Sequence, residues 1–190
     1  MNKQIFLDQL FPTSVLYADS YLITEQLIKL SKELIDQHAT SPFYSPCKST
    51  VNTFGDVLSL SEFKQIKDFA SLIVNSFMEY KQIDSSKLKF TCSWLNYYDV
   101  GGYQDLHSHS DSMLSGVIWL QSDGAKDFIF QSPWHFMQPI MPNYIKNTDD
   151  NSHNSEYSSI PGRCMVFMSN ALHRTLPATS PRISLSFNVA

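Results

Sequence analysis

Charged residues are scarce in this sequence. Asp, Glu, Lys and Arg make up 17% of its 190 residues, whereas about a quarter is usual for a soluble domain. The 14 Lys and Arg are outnumbered by 18 Asp and Glu, which gives a formal net charge of −4. Nucleic-acid binding depends on a positive surface that attracts phosphates, so this balance argues against a nucleic-acid partner.

Cysteines and long hydrophobic runs are also few. Cys47, Cys92 and Cys164 are widely separated and odd in number, which excludes a disulfide framework and leaves no CxxC pair for a structural zinc site. No apolar run approaches the ~20 residues of a membrane span, and the first residues lead into no signal peptide. The sequence therefore predicts a cytoplasmic protein with reduced thiols and no membrane segment.

Hydrophobic residues, in contrast, make up 43% of the chain and aromatic residues 13%, a composition that argues against disorder. The length favours a single domain spanning 1–190, divided into an N-terminal part at 1–86 and a core at 87–190. Within the core, 131–160 is a long polar and aromatic insertion. A segment of this length in a compact domain is usually either a functional lid or disordered.

The N-terminal part predicts one strand and two helices. An apolar strand interrupted by proline is expected at 5–16. Apolar residues recur at spacings of three and four over 24–37, the pattern of an amphipathic helix. Ser59 and Glu62 resemble a capping box, which predicts that the second helix begins at Ser59. Both helices are expected to support a sheet.

From position 87 the hydrophobic period changes to two, which is typical of strands. Strands are predicted at 87–96, 112–121, 127–130, 163–168 and 182–189. Many short strands after two helices indicate a mostly β fold, namely a double-stranded β-helix of the jelly-roll, cupin-like type. The N-terminal helices are expected to pack on one of its sheets.

Three histidines suggest a metal site. His107 and His109 stand two apart at the predicted entry to a strand, so a period of two projects both side chains onto one face, and Asp111 continues that face. His173 follows a later β-run. A barrel can assemble a metal triad from two ligands on one strand and a third from another, as in non-haem iron oxygenases. Imidazole suits Fe, Zn, Cu and Ni alike, so these residues alone leave the metal open.

Arg182 and Ser184 lie nearby in the sequence, nine and eleven residues after His173. Alternation in the strand at 182–189 places both side chains on the face opposite Ile183 and Leu185. A buried arginine beside a hydroxyl can bind a carboxylate, because the planar guanidinium matches both oxygens and the serine donates a further hydrogen bond.

Together these motifs resemble those of the 2-oxoglutarate and Fe(II)-dependent oxygenase superfamily, and most closely a small family of such oxygenases found in bacteria and phages. The resemblance covers nearly the whole chain, including an N-terminal segment at 10–13. The matching motifs are Asn96-x-Tyr98-x-x-Gly101-x5-His107, His107-Ser108-His109, Ser115-Gly116-Val117-Ile118-Trp119, Pro161-Gly162-Arg163, Phe167-Met168-Ser169, His173-Arg174 and the segment from Arg182 to Asn188.

The resemblance implies a role for each of these site residues. His107 and His173 would be iron ligands, and Arg182, assisted by Ser184, would pair with the distal carboxylate of 2-oxoglutarate. The remaining lining of the co-substrate pocket would come from Asn96, Tyr98 and Trp119. Trp119 stands where the family commonly has tyrosine, and an indole can donate a hydrogen bond but cannot accept one.

The third metal ligand departs from the superfamily pattern, in which a carboxylate usually stands two residues after the first histidine. Here that position is His109. Two solutions remain open: a three-histidine site, which the spacing favours, or a site in which Asp111 supplies the carboxylate and restores the charge that Fe(II) usually receives.

The resemblance implies a hydroxylase that consumes 2-oxoglutarate and O2 and releases succinate and CO2. Its substrate, a protein side chain or a small molecule, is not encoded in any recognisable motif. The alternatives are a catalytically silent jelly-roll binding module, a cupin-like metalloprotein and a zinc hydrolase. Arg182 and Ser184 disfavour the hydrolase, because it needs no carboxylate clamp. The first helix carries enough apolar surface for a homodimer interface.

Overall fold

The computed structural model of the protein describes residues 12–41, 45–84, 86, 88–134, 142–148 and 151–190. Two helices precede most of the strands: α1 (Glu25–His38) and α2 (Lys64–Lys81). Thr24 caps α1, because its Oγ1 accepts a hydrogen bond from the Leu27 amide at 3.2 Å. The predicted helix at 24–37 is therefore confirmed to within one residue. Neither of these described helices is both long and apolar enough to cross a membrane.

The described residues form ten strands, which make two antiparallel sheets. The strands are β1 (Val15–Asp19), β2 (Lys48–Ser49), β3 (Phe90–Tyr98), β4 (Gln104–His107), β5 (Leu114–Gln121), β6 (Lys126–Gln131), β7 (Asn154–Ser158), β8 (Arg163–Met168), β9 (His173–Thr175) and β10 (Arg182–Val189). The larger sheet has the order β1-β8-β5-β10-β3-β2 and the smaller has the order β4-β9-β6-β7.

The two faces of the larger sheet differ in chemistry, as the alternation in β10 illustrates. Ile183, Leu185 and Phe187 are completely buried and belong to the main hydrophobic core, which also contains the apolar faces of α1 and α2. The residues between them on β10 face a cavity between the sheets. The N-terminal helices therefore pack on the outer face of the larger sheet, as predicted, and leave its inner face for the site.

The predicted capping box at Ser59 and Glu62 is wrong. Two short 3-10 turns, Val57–Ser59 and Ser61–Phe63, occupy this segment, and α2 begins only at Lys64 without a side-chain cap. The physical reason is tertiary: Val57, Leu58 and Phe63 are buried in the core, and the amide of Leu58 donates to Ser93 Oγ at 2.8 Å. These contacts draw the backbone into the core before the helix starts.

The predicted entry strand at 5–16 can be compared with the structure only from residue 12, because 1–11 lie outside the described part of the chain. Residues 12–14 are not in a strand, and β1 begins at Val15. Two other predictions need correction. His107 ends β4, and His109 follows in the connection to β5 instead of opening a strand. The insertion at 131–160 includes β7, an edge strand that pairs with β6, while 135–141 and 149–150 lie outside the described residues. β7 has no apolar alternation, so its sequence gave no strand signal.

A tight turn at Gly162 leads from β7 into β8 and lies against the end of β1. Gly162 has φ +86, and a Cβ atom there would collide with the backbone oxygen of Ser20. The amide of Ser20 in turn donates to the Gly162 carbonyl at 3.0 Å. Only glycine satisfies both the positive φ and the close backbone approach.

Candidate functional site

The register of the smaller sheet brings two of the predicted histidines face to face. β4 pairs with β9 so that His107 lies directly opposite His173, and their ring centroids are 4.3 Å apart. His109 approaches from the connection after β4, where its amide donates to the Ser169 carbonyl at 2.9 Å. One ligand atom from each ring lies within 4.8 Å of the others, which is a spacing suited to a shared metal ion.

Hydrogen bonds fix the tautomers of two of these rings. His107 Nδ1 lies 2.7 Å from the Asp105 carbonyl and His173 Nδ1 lies 2.8 Å from the Ala171 carbonyl. A carbonyl oxygen can only accept, so Nδ1 carries the proton in each ring and the Nε2 lone pair stays free for a metal. Such orienting contacts are typical of metal-bound histidines.

Burial also keeps the three imidazoles neutral. It lowers the pKa of His173 to about 3 and the pKa of His109 to about 4, with a further contribution from the neighbouring His107 in each case. The pKa of His107 is lowered too, mainly by burial. Neutral imidazole is the form that binds a metal, so the three histidines can bind a metal ion without first releasing protons.

Aromatic side chains surround the three histidines. The ring of Trp94 stacks on His109 with centroids 5.7 Å apart. On the other side, Phe167 and Phe128 contact His173, with centroids at 4.8 and 5.6 Å. These rings restrict the imidazoles to the observed orientations and limit the access of water to them.

The carboxylate of Asp111 is not part of this cluster of ligand atoms among the described residues. Asp111 is exposed, lies at the rim of the same cavity and accepts a hydrogen bond from Ser112 Oγ at 3.2 Å. Of the two solutions that the sequence left open, the geometry favours the three-histidine cluster.

A cavity of about 390 Å³ extends from this rim past the histidines into the space between the sheets. All five residues predicted to hold the co-substrate line it: Asn96, Tyr98, Trp119, Arg182 and Ser184. They lie on the three adjacent strands β3, β10 and β5, where Arg182 pairs with Tyr98 and Ser184 pairs with both Asn96 and Trp119. Strand pairing thus gathers these side chains on one wall.

Arg182 lies at the buried end of the cavity, with 1% of its surface exposed. Its guanidinium carbon is 4.3 Å from the centroid of the Tyr98 ring, a cation–π contact. Burial raises the pKa of Tyr98, whereas Arg182 and a hydrogen bond with Ser184 lower it and offset part of this increase. The phenol therefore stays protonated and remains a hydrogen-bond donor.

The buried end of the cavity also contains an ion pair that was not predicted from the sequence. Nη1 of Arg182 donates to Oδ2 of Asp127, a residue of β6, so the pair links the two sheets. Burial raises the pKa of the Asp127 carboxyl, whereas Arg182 lowers it. An acidic residue next to an apolar run is usually exposed, so position 127 gave no signal of this contact.

A neutral polar network at the other end of the cavity was also missed. Ser115 Oγ is 2.8 Å from Ser169 Oγ and donates to Asn188 Oδ1 at 2.9 Å. Ser115 and Asn188 line the cavity beside the histidines. The alternation of β10 could have indicated Asn188, since it lies on the same face as Arg182 and Ser184.

Residues 92–188, just over half of the chain, match a family model described as "Putative 2OG-Fe(II) oxygenase". The chain belongs to this oxygenase family. It is therefore an enzyme, a 2-oxoglutarate-dependent non-haem iron oxygenase whose cofactor is Fe(II) and whose co-substrate is 2-oxoglutarate. No curated protein matches the chain at a significant level.

Solved structures of low sequence identity share the fold of this oxygenase. A prolyl-4-hydroxylase from Pseudomonas putida is 14% identical, with a TM-score of 0.63 over 93% of this chain and 92% of that one. HygX from Streptomyces hygroscopicus, solved with nickel, 2-oxoglutarate and hygromycin B bound, is 9% identical, with a TM-score of 0.60 over 94% and 83%. A prolyl hydroxylase from Trichoplax adhaerens, in complex with a hypoxia-inducible-factor peptide fragment, is 11% identical, with a TM-score of 0.61 over 92% and 82%. The predicted jelly-roll fold is confirmed.

Proposed function

We propose that this oxygenase holds Fe(II) with His107, His109 and His173, binds 2-oxoglutarate with Arg182, and hydroxylates a protein side chain or a small molecule. The observation that carries the proposal is the convergence of three neutral imidazoles on one side of a cavity whose buried end contains an arginine. The bound iron would supply the oxidising chemistry, by coupling the decarboxylation of 2-oxoglutarate to the activation of O2.

The donor set fits a divalent transition metal. Three imidazole nitrogens lie within 4.8 Å of one another, and the backbone contacts of His107 and His173 leave Nε2 available. Since imidazole binds several divalent metals, family membership is the reason to name Fe(II).

The buried end of the cavity fits the distal carboxylate of a dicarboxylic acid. Nε of Arg182 has no hydrogen-bond partner among the described residues, although the residue is buried. Ser184 and Tyr98 add hydroxyl groups beside it. A guanidinium with free donors next to hydroxyl groups binds a carboxylate through charge-assisted hydrogen bonds.

The charges of the cavity support a protein side chain or a small molecule as substrate. Among the described lining residues, Arg182 is the only Lys or Arg and Asp111 is the only carboxylate. A nucleotide phosphate near the rim would therefore find no cation, whereas the neutral network of Ser115 and Asn188 can bind amides or hydroxyls. Proteins of similar fold are in line with this range: two are prolyl hydroxylases, and HygX was solved with hygromycin B bound.

The proposal is tested by anaerobic titration of the protein with Fe(II) and 2-oxoglutarate. We expect the weak metal-to-ligand charge-transfer band, followed by succinate formation once O2 is admitted. Candidate peptides, small metabolites and nucleotides are then compared by how much each accelerates succinate formation. If neither the band nor succinate is detected, the proposal is wrong.

A substitution at position 109 distinguishes an active three-histidine enzyme from one that has lost its carboxylate ligand. His109→Asp restores the usual superfamily pattern. An enzyme adapted to three histidines is not expected to turn over faster with this substitution. A faster variant would instead indicate a degenerate site, as in the silent jelly-roll module that the sequence left open.

We also propose that the protein resides in the cytoplasm. Its three cysteines are free thiols, which is usual in a reducing compartment. Cell fractionation with an antibody against the native protein tests this location, and recovery in a secreted or membrane fraction would contradict it.

A further inference from the structure

We infer that Asp127 is a positioning residue for the co-substrate, because it holds the guanidinium of Arg182 in the orientation that receives the distal carboxylate. The inference rests on the proposed function, in which Arg182 binds 2-oxoglutarate. It concerns a residue that does not itself line the cavity, so its effect on the co-substrate must act through Arg182.

Three contacts determine where the guanidinium lies. Nη1 donates to Oδ2 of Asp127, Nη2 donates to the Leu176 carbonyl at 3.4 Å, and the ring of Tyr98 covers one face at 4.3 Å. The Leu176 contact is long and the ring contact permits rotation about the ring normal. The Asp127 contact is therefore the directional one that sets the angle of the guanidinium in its plane.

Burial explains why a carboxylate is needed here. Arg182 and Asp127 have 1% and 6% of their surfaces exposed, so neither charge is hydrated by bulk water. An uncompensated buried charge is strongly unfavourable. Without Asp127, the arginine would lower its energy by leaving the buried end of the cavity whenever no co-substrate is bound.

Donors remain for a second carboxylate. A guanidinium has five N–H donors, and two of its three nitrogens make the hydrogen bonds described above. Nε of Arg182 has no hydrogen-bond partner in the described part of the chain, although it is buried. This free donor is consistent with a site that a carboxylate completes.

The experiment measures how strongly the protein prefers 2-oxoglutarate over 2-oxopentanoate, which has a methyl group in place of the distal carboxylate. The Mn(II)-loaded protein is titrated with each acid under anaerobic conditions by calorimetry, so that no turnover is required. The variants are Asp127→Ala, which removes the contact, and Asp127→Asn, which keeps an oxygen that accepts from Nη1. Glu156→Ala, which removes an exposed carboxylate from β7 in the same sheet, is the matched control.

We expect Asp127→Ala to reduce the preference by about tenfold or more, the scale of one charge-assisted hydrogen bond. Asp127→Asn is expected to restore it to within about threefold of the parent protein, since the amide oxygen keeps the guanidinium in place. Glu156→Ala is expected to bind both acids as the parent does. If Asp127→Ala does not fold, Asp127→Ser replaces it, because the shorter hydroxyl cannot reach Nη1.

Two outcomes overturn the inference. In the first, the Ala or Ser variant keeps the full preference for 2-oxoglutarate; in the second, the Asn variant loses as much as the Ala variant. Arg182→Met separates these outcomes from a failure of the proposed function. If the parent protein shows no preference, or Arg182→Met retains it, then Arg182 does not bind the distal carboxylate and the proposed function is at fault.

Discussion

The third metal ligand is the sharpest point on which the site can be tested. We expect His109→Ala to abolish tight binding of a divalent metal and Asp111→Ala to leave it intact. The reason is geometric: a ring nitrogen of His109 lies within 4.8 Å of the ligand atoms of His107 and His173, whereas Asp111 lies exposed at the rim.

The expected magnitude follows from linkage between binding and folding. A metal at a hundred times its Kd stabilises the folded state by about 2.7 kcal/mol. For a chain of about 190 residues, each kcal/mol shifts Tm by about 2–4 °C, so the parent protein is expected to gain about 5–11 °C. If His109→Ala weakens metal binding a hundredfold, the same metal concentration equals the Kd of the variant. The metal then stabilises the variant by only about 0.4 kcal/mol, which shifts its Tm by about 1–2 °C.

Thermal unfolding with and without Mn(II), an ion that stays divalent in air, measures these shifts. Each variant is compared with its own metal-free form, so that any direct effect of the substitution on folding cancels. His38→Ala is the control, because His38 stacks on Phe54 at the end of α1, away from the cluster. The reasoning is refuted if His109→Ala keeps the full shift and Asp111→Ala loses it.

Three further predictions concern stability and are checked by urea unfolding. Gly162→Ala is expected to lower the unfolding free energy by about 1–3 kcal/mol through strain. Gly124→Ala should cost less, because Gly124 also has a positive φ (+78) but has nothing within 4 Å of the position of a Cβ atom. Equal losses would contradict the steric explanation. Leu185→Ala is expected to cost about 2–5 kcal/mol because Leu185 is completely buried, and a loss below about 1 kcal/mol would contradict its core role. Burial raises the pKa of Asp127 and Arg182 is the main influence that opposes it, so Arg182→Met raises that pKa further in the folded state. The unfolding free energy of this variant is then expected to fall more steeply than that of the parent as pH rises above about 4, the ordinary pKa of Asp, since only the unfolded chain ionises the carboxyl freely. Parallel pH profiles would show that Arg182 does not lower the pKa of Asp127.

Local alternation allowed much of the cavity wall formed by β10 to be predicted from the sequence. Successive side chains of a strand point to opposite faces whatever the fold, so the pattern at 182–189 separated Arg182 and Ser184 from Ile183 and Leu185. The structure places β10 at these same residues. The longer strands were predictable because each is long enough to repeat this two-residue alternation several times.

Short strands and the helix start were not predictable in this way. β4 has four residues and β9 has three, too few to show a period. The capping pattern at Ser59 was locally plausible, but the burial of Val57 and Leu58 outweighs the one or two hydrogen bonds that a cap supplies.

The sequence by itself determined the residue types of the candidate site and the faces of the long strands, because both follow from side-chain chemistry and the local period of the backbone. Only the tertiary structure decided which side chains meet. His107 faces His173 through the register of β4 and β9, and His109 joins them from a connection that follows no strand period. Asp127 reaches Arg182 across two sheets, 55 residues away in the chain. Contacts between distant segments depend on how the whole core packs, and no local pattern records that.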